Sequence, residues 1–187
     1  MMRRRSAGLV GLAAILLMVT TGCTTAQQQP ARHPSSATVG TSVANECPVT
    51  PATRDGIPPA LTQQGYGAVF GSGNLWVGAW WQDPQALEQA RSAERGDPEY
   101  PYGYKYPTWT LRQGEVTDAG GAPRITVKAL DRQGRGTGST GGYATSTTPG
   151  DSAGMHWWPT VLGVSARGCW QVTQTVGNDS ISYVVEI

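Results

Sequence analysis

Short strand-like runs separated by glycine, proline and aspartate recur from residue 47 to residue 187 of this 187-residue chain. We predict strands near residues 74–81, 104–112, 124–131, 155–164, 169–176 and 181–187. One short surface helix is predicted near residues 84–95, because Asp83 can cap it and Pro84 suits its first position. The pattern predicts a mainly β domain, an antiparallel β-sandwich with at most this one helix.

The first 22 residues have the layout of a secretory signal peptide. Arg3, Arg4 and Arg5 precede an apolar run over residues 7–19, and small residues lead from it to Cys23. The run is shorter than the about 20 residues that a membrane-spanning helix needs. A cysteine directly after small residues resembles a bacterial lipobox, although Thr20 stands where such boxes prefer leucine. Lipidation of Cys23 is the leading interpretation, with simple secretion and a retained signal anchor as alternatives.

Composition divides the chain into three parts. Residues 1–22 are the predicted signal peptide, and residues 23–46 consist mostly of Thr, Gln, Pro, Ser and Ala. Such a segment buries too little apolar surface to offset its ordering entropy, so we expect a disordered, lipid-anchored tether. Residues 47–187 have uniform composition and a length typical of one domain, the predicted β-sandwich.

Charge and histidine content exclude several function classes. Without the first 22 residues, 11 basic residues face 13 acidic ones, and no Lys/Arg cluster remains. Nucleic-acid binding normally needs a basic stripe, so no nucleic-acid partner is expected. The two histidines are His33, in the expected tether, and His156. We therefore expect neither a metal site nor a cofactor.

Two cysteines remain once Cys23 is set aside. Cys47 and Cys169 form an even pair in a chain that we expect to be exported, which favours a structural disulfide. A metal site is the alternative, but it lacks supporting ligands. A bridge would close a loop of more than 100 residues.

A glycine-rich motif around Ser152 matches the patterns of two serine nucleophiles. Residues 150–154 read Gly-Asp-Ser-Ala-Gly, which resembles both a protease G-D-S-G-G and a hydrolase G-x-S-x-G elbow. His156 lies four residues from Ser152, and the order of a triad is missing. We expect a loop rather than a catalytic site, and keep a small secreted serine hydrolase as the alternative function.

Residues 136–141 fit G-x-G-x-x-G without a following helix, so a hairpin or loop is expected there as well.

Four tyrosines alternate in a proline-rich segment. Tyr100, Tyr102, Tyr104 and Tyr106 would place their rings on one face of an extended chain, since the side-chain period of a strand is two. One interpretation is a surface that binds cell-wall glycan or an extended peptide. The other is an aromatic layer that covers the edge of the sandwich.

The C-terminal segment Gly168-Cys169-Trp170-Gln171-Val172-Thr173 resembles the closing hairpin of a group of small exported bacterial lipoproteins and secreted proteins. Those proteins typically end in G-C-W-x-V-T-G-x-V-G followed by an alternating strand. The segments that begin at Lys105, Asn74 and Cys47 have counterparts in the same group. The resemblance implies an immunoglobulin-like sandwich that contains the Cys47–Cys169 pair. The function of that group is uncharacterised, so no catalytic or binding residues carry over from it.

These observations together predict a non-catalytic protein on the outer face of the bacterial cytoplasmic membrane. A lipid on Cys23 would hold it there, and the sandwich would act as a surface interaction or envelope-structural module. Its expected partners are the membrane, through the lipid, and a cell-wall glycan or another protein.

Overall fold

The computed structural model describes residues 46–63, 67–93, 95–146 and 154–187. The predicted signal peptide, Cys23 and almost all of the predicted tether lie outside these residues. The elements in chain order are α1 (Pro59–Thr62), β1 (Val69–Ser72), β2 (Leu75–Gly78), a 3-10 helix (Trp80–Gln82), α2 (Pro84–Arg91), β3 (Tyr102–Arg112), β4 (Glu115–Val116), β5 (Arg124–Ala129), β6 (Gly136–Thr140), β7 (Ala144–Thr145), β8 (His156–Val164), β9 (Cys169–Val176) and β10 (Asp179–Glu186).

Two antiparallel sheets pack face to face, which confirms the predicted β-sandwich. The larger sheet has the order β1-β2-β3-β8-β6, with β4 paired to β3 and β7 paired to β8, and the smaller sheet has the order β10-β9-β5. An immunoglobulin constant-type domain has one sheet with the strand order A-B-E-D and another with the order C-F-G. The order β2-β3-β8-β6 matches the first of these sheets, and the order β5-β9-β10 matches the second. Among the described residues, no helix is long and apolar enough to cross a bilayer.

The strand predicted near residues 74–81 extends beyond the observed strand by residues 79–81. Strand β2 ends at Gly78, and Trp80 and Trp81 belong to the 3-10 helix after it. Both indoles are still buried, at 6% and 4% exposure, because this helix turns them into the interior. The predicted helix near residues 84–95 is α2, which ends at Arg91. The sequence predicted at most this one helix, and the structure adds the four-residue α1, which begins at two prolines. Asp83 caps it as expected, since its carboxylate accepts the Gln85 N–H at 2.9 Å.

The glycine-rich segment 136–141 is mostly strand, where the sequence predicted a hairpin or loop. Strand β6 pairs with β8 over its whole length, from Gly136 opposite Val164 to Thr140 opposite Thr160. Gly136 and Gly138 lie directly against the side chains of Val127 and Ile125, and a Cβ at either glycine would collide with them. The glycines therefore permit the close approach of β5 and β6, which belong to different sheets.

The interior of the sandwich contains a hydrogen-bonded polar network that joins the two sheets. Gln174 on β9 is fully buried, and its amide donates to the hydroxyls of Tyr106 at 3.0 Å and Tyr183 at 3.1 Å. Its carbonyl oxygen accepts from Thr108 at 3.2 Å, and Thr108 shares a further bond with Thr160 at 2.8 Å. The two tyrosine hydroxyls are 2.8 Å apart. The network satisfies the polar groups that it contains, as a buried network must.

This network makes the fold sensitive to alkaline pH. Burial raises the pKa of Tyr106 and raises that of Tyr183 well above its ordinary value. Between about pH 10, where unfolded tyrosine ionises, and the higher folded values, the folded state holds more protons. The contribution of these two tyrosines to the free energy of unfolding should therefore be constant below about pH 10 and should fall as pH rises further. Urea unfolding at pH values on both sides of 10 measures this dependence. Tyr183→Phe should make the fall of the unfolding free energy with pH less steep. An unfolding free energy that stays constant across that range would contradict the expectation.

Candidate functional site

The four alternating tyrosines do not form one exposed surface. Tyr102, Tyr104 and Tyr106 lie on one face of β3, as the alternation predicted, but this is the face that packs toward the other sheet. Tyr106 is 3% exposed and belongs to the interior network. Tyr102 and Tyr104 are half-buried against the core, and Tyr100 is half-buried before β3 begins. Of the two interpretations, a binding surface formed by all four rings is therefore wrong at Tyr106, and packing of Tyr102, Tyr104 and Tyr106 against the core agrees with an aromatic layer over the sandwich. The period of a strand defines a face without defining which face meets solvent.

Tyr106 and Tyr104 both line a pocket, and Tyr104 is the more exposed of the two. Its ring stacks on the indole of Trp80, with centroids 5.0 Å apart and planes 25° from parallel. Both rings line a pocket of about 350 Å³ between β3 and the start of α2. Gln82, Asp83 and Lys105 contribute its polar groups, and all three are exposed. The volume lies within the range of about 300–1,000 Å³ that small-molecule pockets occupy.

A second pocket, of about 400 Å³, continues on the other side of Tyr104 and Lys105. Gln89 of α2 lines it, together with Arg95 and Val161. The two pockets share Tyr104 and Lys105, so they form one groove with two compartments. We call this groove the α2–β3 groove.

Arg95 has a fixed position in the second compartment. Its guanidinium donates to the backbone carbonyls of Tyr102 and Leu162, and lies on the cross-strand pair Gly103 and Gly163. A Cβ on Gly103 would lie 2.7 Å from the guanidinium and would also collide with the Leu162 carbonyl. The φ of Gly103 is +139°, a region that glycine adopts more easily than other residues. The two glycines therefore make the space in which Arg95 packs on the sheet.

The residues of the hydrolase alternative are only partly described. Ser152 lies outside the described residues. His156, at the start of β8, shares a 2.9 Å hydrogen bond between its Nδ1 and the hydroxyl of Thr145. Its ring lies parallel to that of Tyr143, with 5.9 Å between centroids. These contacts hold the imidazole against the neighbouring strand β7.

Cys47 and Cys169 form the predicted disulfide, with their Cα atoms 5.5 Å apart. Cys169 opens β9, the strand that carries one cysteine of the inter-sheet bridge in antibody domains. Its partner here lies ahead of all the strands, so the bridge attaches the lead-in segment to the smaller sheet.

In the described part of the chain, no group of three metal-ligating side chains comes together.

Comparisons with protein-family models, with curated proteins and with solved structures found no match. A function for this chain therefore has to be inferred from its own residues, chiefly those of the α2–β3 groove and of the disulfide.

Sequence reasoning missed most residues of the groove. Trp80 was assigned to a strand, Asp83 was recognised only as a helix cap, and Gln82 and Gln89 carried no recognisable motif. The groove exists because β2 leaves the larger sheet at Gly78 and the chain then places α2 beside β3. A local signal was present in the two adjacent tryptophans directly before a capped helix, but it gave no indication of a pocket.

Proposed function

We propose that this chain is an exported bacterial lipoprotein, held by a lipid on Cys23 to the outer face of the cytoplasmic membrane. Its sandwich acts there as a non-catalytic interaction module. The residues between Cys23 and the domain, if they behave as a flexible coil, let it reach about 25–30 Å from the bilayer. The partner that this placement offers is a cell-wall glycan or a protein of the envelope.

The disulfide between Cys47 and Cys169 is the observation that carries this proposal. Disulfides persist in extracytoplasmic compartments and are rare in the cytosol, where thiols are kept reduced. The bridge agrees with the signal-like residues 1–22 and with the position of Cys23 directly after them. A binding role is supported by the α2–β3 groove, whereas the best candidate base, His156, is engaged with Thr145 and Tyr143.

Metabolic labelling with a radioactive fatty acid tests the anchor. The wild-type chain should incorporate label and fractionate with membranes, and Cys23→Ala should lose the label completely, because the thiol of Cys23 is the proposed attachment point. Cys169→Ala is the matched control, since it removes a cysteine of the disulfide and should keep the label. Equal labelling of the wild type and Cys23→Ala would refute the anchor, as would an unlabelled wild type.

A fluorophosphonate probe separates the binding module from the hydrolase alternative. A non-catalytic chain should show no labelling that depends on Ser152. Labelling of the wild type that Ser152→Ala abolishes would replace the proposed function with serine hydrolysis.

A further inference from the structure

The α2–β3 groove combines an aromatic wall with polar groups of mixed character. Tyr104 stacks on Trp80 and remains half-exposed between the two compartments. Gln82 lies in the first compartment and Gln89 in the second, and Lys105 borders both. The carboxylate of Asp83 and the ammonium of Lys105 give the first compartment one charge of each sign.

Trp80 contains an unused hydrogen-bond donor. The residue is 6% exposed, and its indole Nε1 is buried with no hydrogen-bond partner within the described residues. The neighbouring indole of Trp81, in contrast, donates to the Thr50 carbonyl at 2.7 Å. A buried polar group without a partner is costly, and in a native structure it calls for an explanation. An acceptor atom supplied by a ligand is one such explanation.

Hydroxyl groups suit the remaining polar groups of the groove. A hydroxyl both donates and accepts, and so does the amide of a glutamine, whereas a carboxylate only accepts and an ammonium only donates. The Gln82 amide already donates to the Thr50 carbonyl at 3.3 Å and the Asp83 carboxylate accepts from the Gln85 N–H, but each keeps a further polar atom for a ligand. A ligand with several adjacent hydroxyls can therefore bond to Gln82, Asp83 and Lys105. An apolar ring face on the same ligand can pack on Tyr104.

We propose that the α2–β3 groove binds a saccharide, with one sugar residue on each side of Tyr104. This inference rests on the proposed interaction function and names its ligand class. In this complex the Trp80 N–H donates to a ring or hydroxyl oxygen of the sugar, which requires the rings that now cover the N–H to move aside. The two glutamines bond the hydroxyls of the two sugar residues, and Lys105 bonds a hydroxyl near their junction.

The lysine content of the chain allows a direct test by chemical footprinting. Lys105 and Lys128 are the two lysines of the sequence, both are exposed, and Lys128 lies on β5 outside the groove. The mature chain, kept in a detergent without a sugar head group, is acetylated with and without N,N′-diacetylchitobiose, cellobiose or maltose. At about 10 mM sugar, tenfold above a Kd of about 1 mM, acetylation of Lys105 should fall several-fold and that of Lys128 should stay constant.

Two other outcomes of the footprint overturn the proposal. One is the absence of Lys105 protection by all three disaccharides. The other is protection by the zwitterionic dipeptide Gly-Gly and by no sugar, which would assign the groove to a peptide. Fatty-acid labelling at Cys23 is a separate measurement, so failure of the sugar site and failure of the anchor are distinguishable.

Variants in the groove test the assigned contacts. Trp80→Phe keeps an aromatic ring in the core and removes the N–H, so disaccharide affinity should fall about tenfold in a domain that stays folded, with a urea midpoint lowered by the smaller ring. Gln89→Ala should weaken binding several-fold, and Gln85→Ala, on an exposed position of the same helix outside the groove, should not. In an NMR spectrum of the wild type, the indole N–H signal that Trp80→Phe removes should move when sugar is added. Unchanged affinity in both Trp80→Phe and Gln89→Ala would overturn the site.

Discussion

Loss of the Cys47–Cys169 bridge should lower the free energy of unfolding by about 4–5 kcal/mol, the value that the chain-entropy model gives for a loop of this size. The two cysteines are 122 residues apart, so the bridge constrains most of the domain in the unfolded state. Domains of this kind are stable by only about 5–15 kcal/mol, so the reduced chain should lie close to its unfolding limit.

The contacts of the lead-in segment depend on the same bridge. Thr50, three residues after Cys47, exchanges hydrogen bonds with β10, since its N–H donates to the Val184 carbonyl at 3.0 Å and its hydroxyl accepts from the Val184 N–H at 2.8 Å. The Thr50 carbonyl also accepts from Trp81. Without the bridge, the lead-in segment loses more conformational entropy when it folds, and these contacts have to offset that loss.

Urea unfolding of two matched chains measures the effect. Both carry Cys23→Ser, so that no third thiol can exchange, and one also carries Cys47→Ser and Cys169→Ser. The chain with the bridge should unfold at a much higher urea concentration, and dithiothreitol should lower its midpoint to that of the other. If dithiothreitol shifts neither chain, or both equally, the bridge does not stabilise the domain.

Gln174→Ala should destabilise the domain by about 3–4 kcal/mol. The substitution removes three buried hydrogen bonds, each with a net contribution of about 1 kcal/mol, and leaves a cavity where the side chain was. Thr108 loses its bond to the amide oxygen, and the hydroxyls of Tyr106 and Tyr183 keep only each other. Both sheets lose a contact, because Gln174 lies on β9 and the groups on β3 belong to the larger sheet.

Gln171→Ala is the matched control for this experiment. Gln171 lies on the same strand three residues earlier, so its side chain points to the opposite face of the sheet. Its replacement should change stability by no more than about 0.5 kcal/mol, as for most surface substitutions. Equal effects of the two substitutions on the urea midpoint would show that the interior network does not stabilise the sandwich.

The strands that sequence reasoning located best are those with a local pattern of their own. The predicted strand at residues 169–176 has the bounds of β9, and the strand predicted near residues 181–187 corresponds to β10. The strands it missed, β1, β4, β6 and β7, are short or glycine-rich. Strand β6 illustrates the reason. Its glycines disfavour a strand by propensity, and they are needed there because the side chains of Val127 and Ile125 leave no room for a Cβ.

Among the residues that line the groove, sequence reasoning selected only Tyr104 and Tyr106 as binding candidates. Alternation correctly placed three tyrosines on one face of β3, and nothing local showed that Tyr106 is buried in the interior network while Tyr104 stays partly exposed in the pocket that both residues line. That difference arises where β2 ends and α2 begins, since the start of α2 borders the pocket beside Tyr104. The polar groups of the groove come from residues 82–89, from Arg95 and from Lys105, which no sequence motif connects.

The β-sandwich, the cysteine pair and the capped helix after Asp83 could be predicted from the chain alone, because strand periodicity and helix capping are local and the cysteines only had to be counted. Three further properties became visible in the folded chain: the buried face of β3, the bridging of the two sheets by Gln174, and the stacking of Trp80 and Tyr104 beside a pocket. Those properties depend on contacts between residues far apart in the chain, and the geometry that brings them together is set by the packing of two sheets rather than by any local pattern.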